Sequence, residues 1–465
     1  MKMIVKSQII LIALRSELSS QTIICYNKRE VVGFMNRKQK RELMKDKSLV
    51  CSLYNIIDKY LPRLFIMFDN LSDARQKGKV TYSMKSICVT RLFALLCGIA
   101  SMNSLTNKFN NDNTINNISK IVNETLSDLP HYDTINDVFD DLNINELRKI
   151  QKYIVYSLIR SKMFDKFRYN GKFQVLVDGT GLVTFNYKHC KHCLVKSHKD
   201  GTYTYEHNVL EAKIVCDKFV ISLDSEFIEN PDESVINIKK QDCEMNAFKR
   251  MAIRLKKNFP KLKFIITADA LYAAGPFIKI CLDNNWDYIF RLKSDRLKNV
   301  NKDFDGIISL ETGSSLKNYF LVKDYQYNKY TFNIVRFIET GKSEKNKVFT
   351  YITNIPVNDD NIEKIIAMGR QRWKIENEGF NNQKNIYFDI THMCSLNYNA
   401  MKAHYFFQQF AHVIRQLLDY GSYITISFQN KIKEISFAIL NELISHPVKL
   451  IENKLFQLRF NTLII

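Results

Sequence analysis

Two short, mostly apolar runs that each lead into an aspartate constrain the fold more than any other feature of the sequence. Residues Phe173–Val177 precede Asp178, and Phe264–Ala268 precede Asp269. Runs of this length, bounded by turn or helix signals, are typical of buried strands. An amphipathic basic helix is predicted between them at Asp242–Phe259. Strands alternating with helices predict an α/β fold, in which helices cover the sheet and both aspartates lie at strand ends.

Segments around these runs extend the predicted sheet. A strand pair is expected at Ala212–Val215 and Phe219–Leu223, and the helix Ala274–Asn284 precedes a further buried strand at Asp287–Leu292. The alternation of strands and helices stops at residues 300–356, because β-rich runs alternate there with polar turns. They predict an inserted antiparallel unit with strands at Tyr319–Lys323, Tyr330–Phe337 and Lys347–Thr353.

Helical periodicity dominates both ends of the chain. Before the first strand, apolar residues recur at helical spacing in three segments, which polar stretches such as Asn107–Asn117 separate: Val50–Phe68, Ser86–Ile99 and Ile144–Ile159. After Pro356, helices are predicted at Ile362–Lys384 and Tyr398–Leu418. Trp286 and Trp373 are expected in the core rather than as base-stacking residues.

The charge balance favours a polyanionic partner. The 465 residues include 68 Lys and Arg against 48 Asp and Glu, a formal net charge of +20, which attracts nucleic acid. Basic residues cluster around the second aspartate, and Arg291 and Lys293 lie on a segment expected to follow DNA phosphates. The scattered cysteines and the absence of a run of some twenty apolar residues indicate a cytoplasmic protein that does not span a membrane. Phosphate-loop, dinucleotide and nucleophile-elbow motifs are missing.

A third carboxylate completes a candidate site for hard metal ions. Arg372 and Glu376 are four residues apart in a predicted helix and therefore share a face. Together with Asp178 and Asp269, Glu376 predicts a site for two Mg²⁺ or Mn²⁺ ions that serve phosphoryl chemistry. Arg372 would then grip a phosphate or restrain Glu376.

These motifs resemble those of DDE transposases from bacterial insertion sequences. The resemblance rests on Val177-Asp178-Gly179-Thr180, on Ala268-Asp269-Ala270-Leu271-Tyr272 and on Arg372-Trp373-Lys374-Ile375-Glu376. The subgroup it most resembles carries a Tyr-Arg-Glu-Lys signature around its last carboxylate. The resemblance implies a ribonuclease-H-like catalytic core with a β-rich insertion and a helical N-terminal DNA-binding region. It also implies that Asp178, Asp269 and Glu376 are the metal ligands and that Arg372 contacts DNA.

The chain departs from that signature in three places. Gly369 stands where the Tyr is expected, Phe380 falls one place late, and Gln383 stands where the Lys is expected, with Lys384 one place later. Glu378 therefore remains an alternative third carboxylate, because its distance to Lys384 fits the signature about as well. Helical spacing to Arg372 favours Glu376.

The resemblance implies cleavage at the ends of an insertion sequence, followed by transfer of the freed 3′-hydroxyl into target DNA. Double-stranded DNA, both element ends and target, would be the partner, and a homodimer is expected on DNA in the bacterial cytoplasm, at the nucleoid. Two alternatives stay open: a catalytically inactive, transposon-derived DNA-binding protein, and a metal-dependent nuclease without strand transfer.

The expected segments follow from these patterns. They are a leader at 1–35 that precedes the alternative start Met35, a helical DNA-binding region at 36–165, the first part of the catalytic core at 166–299, the β-rich insertion at 300–356, the rest of the core at 357–425, and a helical tail at 426–465.

One local motif has metal-binding spacing. Cys190 and Cys193 form a C-x-x-C pair beside His189, and His192 or His207 can complete four ligands in space. The chain contains no second C-x-x-C pair, so a polar loop with incidental thiols is the simpler interpretation.

Overall fold

The structure is a computed structural model that describes residues 48–230, 241–310, 319–339, 347–421, 431–450 and 458. The predicted leader at 1–35 lies outside the described residues, as do residues 36–47 and part of the predicted tail. Residues from Leu49 onwards belong to one compact unit. No helix in the described part of the chain is long and apolar enough to cross a membrane.

Among the described residues, seven α-helices precede the sheet: α1 Leu49–Tyr60, α2 Leu64–Asp69, α3 Met84–Leu96, α4 Met102–Phe109, α5 Asp112–Val122, α6 Tyr132–Asp140 and α7 Ile144–Arg160. The single helix predicted at Val50–Phe68 is wrong, because Pro62 separates α1 from α2. The Asn-rich stretch predicted as a separator is largely helical. Asn111 Oδ1 accepts the N–H of Thr114 and so caps α5, and buried Asn117 donates to the carbonyls of Leu443 and His446.

In the part of the chain that the structure describes, nine strands form one mixed sheet: β1 Phe173–Phe185, β2 Leu194–Ser197, β3 Tyr203–Cys216, β4 Phe219–Ile228, β5 Phe264–Ala268, β6 Asp287–Leu292, β7 Tyr319–Tyr327, β8 Tyr330–Glu339 and β9 Lys347–Thr353. Their order is β2-β3-β1-β5-β6-β9-β8-β7, and β4 also pairs with β3. The bounds predicted for β5 and β6 are confirmed. Helices α8 (Glu244–Asn258) and α9 (Gly275–Asp283) provide the crossovers that make β1, β5 and β6 parallel.

The first strand is longer than predicted. It continues through Asp178 to Phe185, because β3 pairs with it in antiparallel register as far as Phe185↔Tyr205. The parallel ladder with β5 is shorter and ends at Val177↔Ala268. The prediction that the strand ends at Asp178 is therefore wrong, while Asp178 does lie at the point where the parallel pairing ends.

The β-rich segment continues the main sheet. Its strands are antiparallel, as predicted, but β9 pairs with β6 through Leu292↔Thr350, so the unit adds three strands to the sheet edge. Its first residues form helix α10 (Lys298–Leu310), which the prediction of a β-rich unit from residue 300 missed.

Two helical regions follow β9. Helix α11 (Ile362–Arg370) ends just before Arg372, and the chain then winds as a wider π-helix at Ile375–Asn381 and Gln383–Tyr387. The uninterrupted α-helix predicted at Ile362–Lys384 is therefore wrong.

The long helix α12 (Tyr398–Gly421) is buried on nearly every side. It packs against α3, α6, α7 and β4, and Phe406, Phe407 and Phe410 lie in the core. Helix α13 (Ile432–Ser445) packs on α1 and α5. Since α12 contacts both the N-terminal helices and the sheet, it joins the two parts of the fold in one core.

Candidate active site

Asp178 and Asp269 follow the last residue pair of the parallel β1–β5 ladder. Val177 and Ala268 are register partners, so the next residue on each strand is a carboxylate. Asp178 stays within β1, opposite Glu211 of β3. Asp269 leaves β5, and its Oδ1 accepts the backbone N–H of Leu271 at 2.8 Å. The sheet therefore brings the two carboxylates together, as the sequence predicts.

Arg372 connects Asp178 with Glu376. Its Nη1 lies 2.6 Å from Glu376 Oε1 and 3.3 Å from Asp178 Oδ2, and its side chain is 11% exposed. The other oxygen of Asp178, Oδ1, accepts the backbone N–H of Gly179 at 3.0 Å. The predicted contact between Arg372 and Glu376 is present, and the fold adds the contact with the first aspartate.

The structure adds Glu244, a carboxylate that the sequence interpretation missed. It begins α8, and its side chain occupies the space beside Gly179: a Cβ placed on Gly179 would lie 2.4 Å from Glu244 Oε1. Glycine at 179 thus makes room for a protein carboxylate. No sequence signal singles out Glu244, because an acidic residue in the first turn of a helix is an ordinary helix-dipole preference.

Negative charge accumulates at this site. Burial, opposed by the Arg372 guanidinium and reinforced by Glu376, Glu244 and Asp269, raises the pKa of Asp178 to about 7. Burial and the neighbouring Asp269 also raise the pKa of Glu244. The charges of Glu376, Glu244 and Asp269 therefore all act on Asp178, while Arg372 contacts Asp178 and Glu376. Carboxylate oxygens are the hard ligands that Mg²⁺ and Mn²⁺ prefer. The residues present fit a divalent cation.

Glu378, the alternative third carboxylate, lies elsewhere. Its Oε2 is buried and has no hydrogen-bond partner among the described residues. Burial and Asp419 raise the pKa of Tyr420, on α12, to about 12, and Glu378 contributes to that rise. Glu376 is therefore the glutamate that the structure brings to Asp178, through Arg372.

The buried ring of Tyr351, on β9, lies beside Gly369 and near three arginines. A Cβ on Gly369 would lie 2.6 Å from Cε1 of Tyr351, so the Tyr351 ring occupies the space beside this glycine. Burial raises the pKa of Tyr351 to about 12, and the positive charges of Arg291, Arg370 and Arg372 oppose that rise. Gly369, where the signature has Tyr, thus accommodates an aromatic ring from β9.

Arg291 and Lys293, which are predicted to follow DNA phosphates, lie on β6 and directly after it, and Lys384, next to the position of the signature's Lys, lies in the π-helix. The guanidinium of Arg291 lies 4.9 Å from the centre of the Phe349 ring, and Lys293 is exposed. Lys384 is half-buried and its pKa is lowered by burial, whereas Gln383 is fully buried. Of these two positions, Lys384 is the one with access to solvent.

The two tryptophans differ in burial. Trp286 is in the core, as predicted, but Trp373 is 47% exposed, so the prediction that it belongs to the core is wrong. The break after α11 turns Trp373 outward, and the Arg372 guanidinium lies 5.3 Å from the centre of its ring.

Comparisons with known proteins find similarity to transposases. Residues 235–414, which include Asp269 and Glu376, match the transposase DDE domain family, and residues 65–153 match the family of domains associated with it. A solved structure similar to this one is a piggyBac transposase synaptic complex with hairpin DNA, at 10% identity over 87% of this chain and 81% of that chain, with a TM-score of 0.41. No curated protein matches the sequence. Over residues 65–153 and 235–414 the chain is similar to DDE transposases.

Proposed function

We propose that the protein is the transposase of a bacterial insertion sequence, which cuts DNA at the ends of its element and joins the freed 3′ ends to target DNA. The observation that carries the proposal is the placement of Asp178 beside Asp269 at the end of the β1–β5 ladder, together with the contacts of Arg372 with Asp178 and Glu376. The Tyr-Arg-Glu-Lys subgroup and a ribonuclease-H-like core belong to the same proposal. Antiparallel strands followed by two parallel strands with helical crossovers support that core.

Asp178, Asp269 and Glu376 would hold two Mg²⁺ or Mn²⁺ ions. Bound there, such ions activate the attacking oxygen and stabilise the leaving oxygen of an in-line displacement at phosphorus. Asp178 is fixed in β1 by pairing with β3, directly after the last residue pair with β5, and Asp269 is held by the N–H of Leu271. Both strand carboxylates are therefore held before any ligand binds, which is the preorganisation that such chemistry requires.

Arg372 is the residue whose partners can change. Its guanidinium now balances Asp178 and Glu376, and it offers several N–H donors in a planar fork suited to phosphate oxygens. When cations compensate the carboxylates, Arg372 can donate to the phosphate next to the cleaved bond. Because Arg372 would trade its carboxylate partners for a phosphate, it would position DNA in the site only when the carboxylates are already neutralised.

A surface around the site provides the remaining phosphate contacts. We assign Arg291, Lys293 and Lys384 to it, with the exposed ring of Trp373 as a stacking surface for a base at the DNA end. The net charge of +20 favours binding along a duplex. Two element ends must be joined in one reaction, so we propose that the protein acts as a homodimer on DNA, in the cytoplasm at the bacterial nucleoid.

The test is a cleavage and joining assay on a labelled duplex that carries the end of the protein's own element, with Mg²⁺ or Mn²⁺. Wild type is compared with Asp178→Asn, Asp269→Asn and Glu376→Gln, and Glu378→Gln is the matched control. Binding of the same duplex is measured in Ca²⁺. We expect metal-dependent nicking at the element end and strand transfer in the wild type and in Glu378→Gln. The three other variants should bind ends and cut at least 10²-fold more slowly, a loss of about 2.7 kcal/mol or more in transition-state stabilisation.

Three results would change the proposal. Binding without cleavage in the wild type would identify an inactive, transposon-derived DNA-binding protein. Cleavage without joining would identify a nuclease. Cleavage that persists in Asp178→Asn and Asp269→Asn would place the active site elsewhere.

A further inference from the structure

Four potential metal ligands meet outside the carboxylate site. His189 and Cys190 lie in the loop that follows β1, Cys193 directly precedes β2, and His207 lies in β3. Their donor atoms all lie within 4.8 Å of one another, and Cys193 and His207 are buried. Among the described residues this is the only group of His, Cys, Asp and Glu that meets so closely.

The distances match a tetrahedral zinc site. Zinc binds thiolate sulfur at about 2.3 Å and imidazole nitrogen at about 2.0–2.1 Å, so two sulfurs on one ion lie about 3.8 Å apart and a sulfur and a nitrogen about 3.6 Å apart. Here Cys190 Sγ and Cys193 Sγ are 3.7 Å apart. Nε2 of His207 lies 3.5 Å from each sulfur. Three ligand atoms thus occupy the corners of a zinc tetrahedron.

His189 supplies the fourth corner. Its Nδ1 is buried and has no hydrogen-bond partner among the described residues, which is costly for a polar atom unless a ligand binds there. The Phe185 ring stacks on its imidazole at 4.2 Å and holds it in place. His192, the other histidine of this loop, is already engaged, since its Nδ1 lies 2.9 Å from the carbonyl oxygen of Asn230.

A disulfide does not account for the arrangement. Both cysteines are free, and a separation of 3.7 Å between their sulfurs is far longer than a disulfide bond of about 2.05 Å. Two imidazoles around the thiol pair add nothing to a disulfide, whereas they complete the Cys₂His₂ set of a structural zinc site.

We propose that His189, Cys190, Cys193 and His207 bind one Zn²⁺ ion in a closed structural site. With four protein ligands the ion has no open position for substrate. The site connects the mostly exposed loop between β1 and β2 to β3. It also connects this loop to α12, because the ring centres of His207 and Tyr398 stack 4.1 Å apart. It therefore braces the distal half of β1, the strand that carries Asp178.

The first experiment measures metal in the full-length protein, purified without chelator or added metal. We expect one zinc per chain and X-ray absorption distances of about 2.3 Å to sulfur and about 2.0 Å to nitrogen. Replacement by Co²⁺ should give the visible absorption of a tetrahedral ion together with thiolate charge-transfer bands. Protein free of zinc, or an intact mass two hydrogens short that shows a Cys190–Cys193 disulfide, would overturn the proposal.

Variants then locate the ion. Zinc should fall to background in Cys190→Ser/Cys193→Ser and in His207→Ala, and the midpoint of thermal unfolding should fall with it. The matched controls are His192→Asn, in the same loop, and Cys243→Ser, an exposed cysteine. Both should keep one zinc, as should Asp178→Asn/Asp269→Asn, which removes the candidate site for Mg²⁺. Zinc retained in the double cysteine variant, or lost in the double aspartate variant, would refute this assignment, and the wild-type cobalt spectrum decides the matter even if a variant fails to fold.

Discussion

A buried ion pair on β3 stabilises the strand opposite Asp178, and its removal should be costly. Glu211 and Lys213 are both fully buried, and Lys213 Nζ lies 3.2 Å from Glu211 Oε2. Glu211 also accepts hydrogen bonds from Ser222 Oγ at 2.6 Å and from the Tyr405 hydroxyl at 2.9 Å. At an effective dielectric constant of about 20, two unit charges at this distance attract by about 5 kcal/mol.

Replacing only one member leaves a buried charge without its partner. Such a change costs about 3–5 kcal/mol, so we expect Lys213→Met to lower the free energy of unfolding by about 3–4 kcal/mol. Glu211→Gln should cost a similar amount, because it leaves the Lys213 ammonium buried. The double variant should lie within about 2 kcal/mol of the wild type, since Gln keeps an acceptor for Tyr405 and Met fills the space of the lysine chain.

The assay is a double-mutant cycle in urea, followed by the fluorescence of buried Trp286 in a Trp373→Phe background. The coupling energy between Glu211 and Lys213 is the excess of the two single-variant costs over the cost of the double variant, and it should be at least about 4 kcal/mol, somewhat above the usual range for residues in direct contact. Single-variant costs below about 1 kcal/mol that simply add in the double variant, within about 0.5 kcal/mol, would refute this reasoning.

Three further substitutions test the surroundings of the site. Gly369→Ala places a methyl group 2.6 Å from the ring of Tyr351 and should lower stability by about 1–3 kcal/mol in thermal unfolding; an unchanged midpoint would show that the ring moves freely. Gly179→Ala should displace the Glu244 carboxylate and reduce cleavage while the affinity for DNA ends stays the same, and full activity would mean that Glu244 has no part in the site. Trp373→Ala should weaken binding of element ends about tenfold, a loss of about 1.4 kcal/mol, without lowering the thermal midpoint; unchanged affinity would remove Trp373 from the DNA surface.

Local patterns predicted the elements that depend on local chemistry. The bounds of β5 and β6 and the contact between Arg372 and Glu376 could be read from runs of apolar residues and from helical spacing. The end of β1 could not be read in this way, because it is decided by pairing with β3, where Phe185 pairs with Tyr205 further along the chain.

The parts of the site that the sequence did not predict are contacts between distant segments. Glu244 reaches Gly179 only because α8 begins beside β1, and Arg372 reaches Asp178 only in the folded chain. Trp373 has an apolar ring at a helical position, which favours burial, yet the break after α11 exposes it. Nothing in the local sequence marks these three outcomes.

The π-helix after Arg372 offers a structural reason for the departures from the Tyr-Arg-Glu-Lys signature. A π-helical turn closes with i→i+5 hydrogen bonds, so it holds more residues than an α-helical turn. When such a segment gains one residue, the residues before and after it can stay on the same faces that they occupy in a shorter α-helix. Phe380 and Lys384, each one place late after Glu376, lie within or beyond the widened turns at Ile375–Asn381. The extra residue is accommodated by the wider turn. The shift in spacing therefore changes the local helix geometry, and Glu376 keeps its orientation toward the sheet.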